Sequence, residues 1–212
     1  MIRIYIESIY SSTLTLDDKQ LHYLKNVMRC NDEDIIEIFD NKNAFKAKIL
    51  FPNIEIIENL STVMRKRPKL GIGYIRKNKL EVAIEKAVEL DVDEIYLLIT
   101  DRVNRKYIDS RRLNKIAIEA AEQCGRIGVP KIHENIKLID LPDIEWVVAD
   151  SSQNNKKDFW NGDGMLIGPE GGWSDNELNA LNKYKKISLH HNILRAETAV
   201  CAGLSLFSNS SE

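Results

Sequence analysis

Short runs of alternating apolar and polar residues fill the first third of the chain, whereas beyond residue 68 apolar runs take turns with longer stretches of helical period. The runs 2–7, 35–39, 45–50 and 54–60 are rich in β-branched residues and partly alternate, which predicts strands. Asp40, Asn41, Lys42 and Asn43 supply a polar turn between two of them. Leu21, Leu24 and Met28 stand at helical spacing and predict a single helix over 17–28. Residues 1–68 therefore read as a small β-rich barrel or sandwich. From residue 69, predicted strands at 71–75, 94–99, 145–149, 165–167 and 186–189 alternate with predicted helices near 79–90, 110–124, 174–184 and 196–207. That order is the signature of an α/β domain with a largely parallel sheet. Two domains follow, 1–68 and 69–212, with Arg65, Lys66 and Arg67 read as a solvated linker. In the helix over 110–124, Leu113, Ile116, Ala117, Ala120, Ala121 and Cys124 form one apolar stripe, expected in the core.

Composition narrows the class of protein. With 43% hydrophobic and 29% charged residues, the 212-residue chain can bury a core and is too apolar for disorder. A net charge of −2 excludes a grip on nucleic acid by bulk charge alone, so any such partner needs a local patch. Cys30, Cys124 and Cys201 lie far apart, without a CxxC or a histidine at ligand spacing. That argues against a disulfide framework and against a metal site, and for buried thiols in a reduced chain. The opening Met-Ile-Arg-Ile-Tyr-Ile-Glu alternates where a signal peptide would be uniformly apolar, and no apolar run reaches the roughly 18 residues of a membrane span. A soluble cytoplasmic protein with no membrane partner is expected.

Two segments carry candidate chemistry. In Met165-Leu166-Ile167-Gly168-Pro169-Glu170-Gly171-Gly172-Trp173, an apolar strand ends in a Gly/Pro-rich loop, and Ser174 with Glu177 then forms a capping box that opens a helix. Such junctions at the carboxyl edge of a sheet are where α/β folds place ligands, and the glycines let backbone approach one closely. The loop is neither Gly-x-Gly-x-x-Gly nor a Walker loop, which removes support for nicotinamide, flavin or nucleoside triphosphate. The second segment, Leu189-His190-His191-Asn192-Ile193-Leu194-Arg195-Ala196-Glu197-Thr198-Ala199, crowds charged and hydroxyl groups into the start of an apolar helix. Its bland reading is that Glu197 or Thr198 caps the helix while Arg195 pairs with Glu197.

Taken together, Leu-Ile-Gly-Pro-Glu-Gly-Gly-Trp and, some twenty residues later, Ile-Leu-Arg-Ala-Glu-Thr-Ala resemble the SPOUT methyltransferase superfamily, and more narrowly the ribosomal RNA small-subunit methyltransferase E family. His22-Tyr23-Leu24 through Val27-Met28-Arg29, Glu85-Lys86-Ala87-Val88-Glu89-Leu90 and Glu122-Gln123-Cys124-Gly125-Arg126 fit the same family. The resemblance implies an N-terminal PUA-like β-barrel for RNA and a C-terminal α/β domain closed by a trefoil knot. It also implies S-adenosylmethionine as cofactor, a homodimer, and methylation at N3 of uridine 1498 of 16S rRNA in the small ribosomal subunit. By the same resemblance the cofactor is held by Ile167, Gly168, Pro169, Glu170, Gly171 and Gly172 from the first loop. The second supplies Leu189, His190, Ile193, Leu194, Arg195, Glu197 and Thr198, while Arg29, Arg102 and Arg126 are the RNA-facing candidates. The sequence departs from the family pattern at His190-His191-Asn192, where a glycine is usual, and at Ala196, Glu33, Asp91 and Val103.

Methyl transfer to a uridine N3 needs alignment of donor and acceptor, and a means of stabilising the imide anion. Arg195 is the expected catalytic cation, because a guanidinium presents a rigid donor fork and cannot act as a base. Glu170 and Glu197 both remain open as the base, and His190 or His191 reads first as a polar loop residue. Two alternatives stand beside this reading: an RNA-binding or ribosome-assembly protein that has lost turnover, and an enzyme of another class. The second alternative lacks a nucleophile elbow or a Cys/His signature.

Overall fold

The structure is a computed structural model and describes residues 1–61, 65–103, 109–153 and 159–207. The chain falls into two compact units, Met1–Met64 with Ala121–Val129, and Arg65–Ala120 with Pro130–Glu212. The division read from sequence put 121–129 with the second part. This segment packs with the first because Arg3 donates to the carbonyls of Ala121 and Arg126, and the Tyr5 amide donates to Glu122.

The first unit is a curled, five-stranded mixed sheet. Its strands are β1 (Arg3–Tyr5), β2 (Thr13–Thr15), β3 (Ile35–Phe39), β4 (Ala44–Leu50) and β5 (Asn53–Asn59), in the order β1-β3-β4-β5-β2. Only β1 and β3 pair in parallel. Alternation along β3 and β4 sends Ile36, Ile38, Ala47 and Ile49 into a core shared with Ile4, Leu14, Leu24 and Ile54. The predicted helix is two pieces. Asp17 caps α1 (Asp18–His22) through a capping box with Gln20, and the chain then widens into a π-helical turn over Tyr23–Val27. It ends at Arg29, whose φ of 57° no helix can continue. The strand β2 escaped the sequence reading because three residues are too few to show alternation.

The second unit is built on six parallel strands: β6 (Lys69–Gly73), β7 (Glu94–Leu98), β8 (Lys131–Ile136), β9 (Trp146–Ala149), β10 (Gly164–Ile167) and β11 (Lys185–Ile187). Its helices are α2 (Lys77–Glu89), α3 (Ser110–Cys124), α4 (Asp175–Ala180) and α5 (Ala196–Ser205). The order β11-β9-β10-β6-β7-β8 puts early and late strands side by side. Central strands are buried throughout, as all four residues of β10 show, which is why they read as unbroken apolar runs. By contrast β8, an edge strand carrying Lys131 and Glu134, has no such run and was missed. The stripe of α3 is buried from Leu113 to Ala121, but Cys124 is half-buried, as is Cys201; of the thiols expected to be buried, Cys30 alone is. Nor is the segment before β6 merely solvated: Arg67 Nε lies 2.9 Å from Asp91 Oδ1 with 11% of its side chain exposed, and Lys66 pairs with Asp163.

Candidate active site

The strand order fixes where a site can form. Successive connections leave β6 toward β7 and β8 on one side, while β10, β9 and β11 lie on the other, so the crevice opens beyond the carboxyl ends of β6 and β10. A cleft of about 720 Å³ lies there. It is lined by the loops after β9, β10 and β11, by the start of α2 at Arg76 and Lys79, and by the first turn of α5. Close approach of backbone is what shapes it. A Cβ on Gly73 would fall 2.7 Å from the ring and nitrogen of Pro169, so only glycine lets the loop after β10 cross the end of β6. Likewise a Cβ on Gly168 would lie 3.2 Å from the indole of Trp173, which packs beneath the loop in a core with Tyr96, Trp146 and Leu166.

The loop after β10 is braced from outside. Ser174 caps α4 through the expected box, its hydroxyl accepting from the Glu177 amide while Glu177 accepts from the Ser174 amide. Buried Glu177 also accepts from the Asp101 amide at 2.9 Å. Arg102, expected to face RNA, donates to the Gly171 carbonyl at 3.0 Å and so fastens this loop. Of the other two RNA candidates, Arg29 is exposed and Arg126 is buried, with 8% of its surface accessible. A guanidinium with so little surface is not presented to a phosphate.

The second loop folds without the glycine usual in the family. No residue from 188 to 195 has positive φ; instead the Ser188 hydroxyl donates to the His190 carbonyl and the Asn192 amide donates to His190 Nδ1, both at 3.0 Å. The His190 and His191 rings lie 4.0 Å apart. Where Glu33 and Asp91 replace usual glycines, by contrast, φ is 76° and 61°, so those side chains occupy the left-handed region. Arg195 is the N-cap residue of α5 in extended conformation, exposed at the cleft, and gives the helix no side-chain cap. The bland reading of this segment holds only in part: Glu197 takes a hydrogen bond from its own amide in the first turn of α5, but its ion pair, at 2.8 Å, is with Lys79 and not with Arg195.

Every expected cofactor residue except Thr198 lines the cleft, and Thr198 faces solvent one position further round the helix. Ile193 stands at the rim, 85% exposed, instead of forming a buried wall. Sequence reasoning missed Arg76, Lys79 and the segment Ala149, Asp150, Ser151 and Ser152. The position that follows a strand in an α/β domain was the available signal for each. Burial pushes the Asp150 carboxyl up, but hydrogen bonds from Gln153 and from the Ser152 amide and hydroxyl, with the charge of Lys186, hold it below the ordinary range.

The lining suits S-adenosylmethionine. Glycine backbone laid against an indole, with Ile167, Leu189, Leu194 and Ala199, offers a neutral ring apolar walls and amides. Three carboxylates, Asp150, Glu170 and Glu197, share the lining with Arg76, Lys79 and Arg195; Glu197 pairs with Lys79 and Glu170 with Arg76, so the cleft as a whole carries no excess of negative charge.

Comparison with known proteins agrees. Residues 64–208 match the RNA methyltransferase domain model and residues 16–56 the RNA methyltransferase PUA domain model. A ribosomal RNA small subunit methyltransferase E from Rickettsia conorii is 31% identical, covering 95% of this chain and 93% of that one. One from Buchnera aphidicola subsp. Schizaphis graminum is 30% identical, with the same coverages of 95% and 93%. The crystal structure of a ribosomal RNA small subunit methyltransferase E from Neisseria gonorrhoeae bound to S-adenosyl methionine superposes with a TM-score of 0.84 at 25% identity, over 97% of this chain and 95% of that one. Motif, strand order and whole-length likeness converge, and the chain belongs to the ribosomal RNA small subunit methyltransferase E family.

Proposed function

We propose that the protein transfers a methyl group from S-adenosylmethionine to N3 of a uridine in 16S rRNA, at position 1498, and that it does so as a cytoplasmic homodimer. The observation that carries this reading is the convergence of the three loops after β9, β10 and β11 on one cleft with an exposed guanidinium, Arg195, at its edge. When bound, S-adenosylmethionine supplies an electrophilic methyl group. The chain's own residues then have two tasks. The braced loop after β10 holds the donor's place, since its backbone is fixed by Pro169, by Trp173 beneath it and by Arg102 on Gly171. Arg195 stabilises the negative charge that grows on the uracil ring as N3 gives up its proton, which passes to Glu170 or to water in the open cleft.

Glu197 is a poor choice of base. Burial pushes its carboxyl up, but Lys79, its own backbone amide and the charge of Arg195 outweigh burial and hold it below the ordinary carboxylate range. A group kept anionic in this way takes a proton from N3 reluctantly. Glu170 is exposed, 3.6 Å from Arg76 across the rim. The curled sheet of the first unit, with Arg29 exposed after the π-helical turn, is the part read as gripping the RNA.

Small subunits lacking the modification, incubated with labelled S-adenosylmethionine and the protein, decide the matter when the rRNA is mapped by mass spectrometry. Label at N3 of uridine 1498 is expected. Label at another nucleotide corrects the target, and binding without label favours an assembly protein devoid of turnover. Sedimentation at micromolar concentration tests the dimer.

A further inference from the structure

The ion pair of Lys79 with Glu197 lies inside the cleft, and the functional reading above gives it no task. Lys79 belongs to the first turn of α2 and Glu197 to the first turn of α5. Their contact, 2.8 Å from Nζ to Oε1, therefore ties together the two helix starts that border the site. The side chain of Glu197 is 12% exposed, so its charge depends on protein partners more than on water.

Two cations stand near that carboxylate. Arg195 is two residues away, lines the same cleft, and is close enough for its charge to act on Glu197. Left to themselves, a guanidinium and a carboxylate make the stronger pair, because the planar fork can bond both oxygens at once. Yet among the described residues the carboxylate is held by Lys79, and Arg195 forms no ion pair. Chemistry makes that difference matter. A guanidinium already locked to a carboxylate carries little net field and has two of its five donors taken, so it cannot meet a uracil anion with its full charge and fork. A free one can.

We propose that Lys79 is a positioning residue: by occupying Glu197 it keeps the Arg195 guanidinium free and aimed into the cleft. The inference rests on the assignment of Arg195 to the uracil anion. Without Lys79, the nearest remaining cation for a half-buried Glu197 is Arg195, and the pair that then forms silences the catalytic cation. Lys79 itself need touch neither cofactor nor RNA.

The test uses the full-length protein and two readouts. The first is steady-state transfer to unmodified small subunits, separated into kcat and the KM for S-adenosylmethionine. The second needs no cofactor: the rate at which phenylglyoxal labels Arg195, read by peptide mass spectrometry, with exposed Arg29 in the other unit as internal reference for a folded sample. For Lys79→Met, kcat is expected to fall by about tenfold or more while the KM stays within about threefold, and labelling of Arg195 to slow several-fold. Lys79→Arg keeps labelling and turnover within about threefold of the parent. Adding Glu197→Gln to Lys79→Met removes the carboxylate that would capture Arg195. It is expected to bring labelling back and to raise turnover at least about fivefold over Lys79→Met alone, a non-additive result that a merely structural role would not produce. Unchanged Arg195 labelling in Lys79→Met overturns the proposal, as does a double variant no better than the single one. If the parent protein transfers no methyl group at all, the functional assignment fails, and the labelling rates still decide whether Lys79 keeps Arg195 free.

Discussion

Both ends of the parallel sheet in the second unit carry charged residues, and they use them in different ways. At the amino end, Glu94 at the start of β7 takes hydrogen bonds from Lys69 on β6 and from Tyr96, and meets the ring of His133 on β8, so three neighbouring strands are pinned by one carboxylate. Tyr96 also stacks flat on His133, at 4.5 Å. Burial pushes Glu94 up, but Lys69, His133 and Tyr96 outweigh it and bring its pKa down to about 2. Burial, then the bond to Glu94, drives the Tyr96 hydroxyl up to about 12. At the carboxyl end, Arg76 and Glu170 meet only loosely, at 3.6 Å in solvent, and among the described residues Arg195 forms no ion pair and stays exposed beside the cleft. Charges that satisfy one another hold strands together, and charges left facing a cavity are available to a ligand.

That contrast can be broken from either end. The largest effect is expected at the open end: Arg195→Ala should cut turnover by about 10²–10³-fold, the usual loss for one donor to a developing anion, while S-adenosylhomocysteine affinity by calorimetry stays within a few-fold. A collapse of affinity with normal turnover at saturation would make Arg195 a pocket residue instead. Gly73→Val tests whether the cleft depends on backbone contact. The added Cβ meets Pro169, and a loss of about 2–3 kcal/mol in urea denaturation, with weaker S-adenosylhomocysteine binding, is expected.

At the closed end, Glu94→Gln is expected to cost about 1–2 kcal/mol without changing the KM for the cofactor, since it strips charge from a network remote from the cleft. Its pH dependence has a definite sign. A carboxyl whose folded pKa is about 2 against an ordinary 4.5 adds stability that is complete above pH 4.5 and drains away as pH falls toward 2. Urea midpoints measured across that window should therefore fall less steeply for Glu94→Gln than for the parent. The smallest effect belongs to the first unit. Glu33→Gly relieves a φ of 76° and gives up an exposed pair with Lys48, a net gain of about 0.5 kcal/mol or less, visible as a slightly higher Tm.

Local patterns were legible wherever the cause was local. The capping box of Ser174 and Glu177, the stripe of α3 and strand β3 follow from residues a few positions apart, and the structure places them where the pattern does. The π-helical turn was not legible, because Leu21, Leu24 and Met28 suit a regular helix equally well. Edge strand β8 and short β2 lacked a pattern for the opposite reason, one being half-exposed and the other three residues long. In the site, the two glycine- and arginine-marked loops were visible as motifs, whereas Arg76, Lys79 and Asp150 belong to no motif and enter only because their strands end at the same edge.

The amino-acid sequence by itself determined most of the strands and helices, though not β2, β8 or the π-helical turn, that the second unit is an α/β domain, and which two loops carry the unusual chemistry, since each depends on neighbours along the chain. Tertiary structure alone decided the partner of each charge: that Glu197 goes to Lys79 and not to Arg195, that Arg102 fastens Gly171, and that Arg126 is buried. The two pairings join residues 118 and 69 positions apart, where distance along the chain says nothing about distance in space and only strand order and packing bring the groups together.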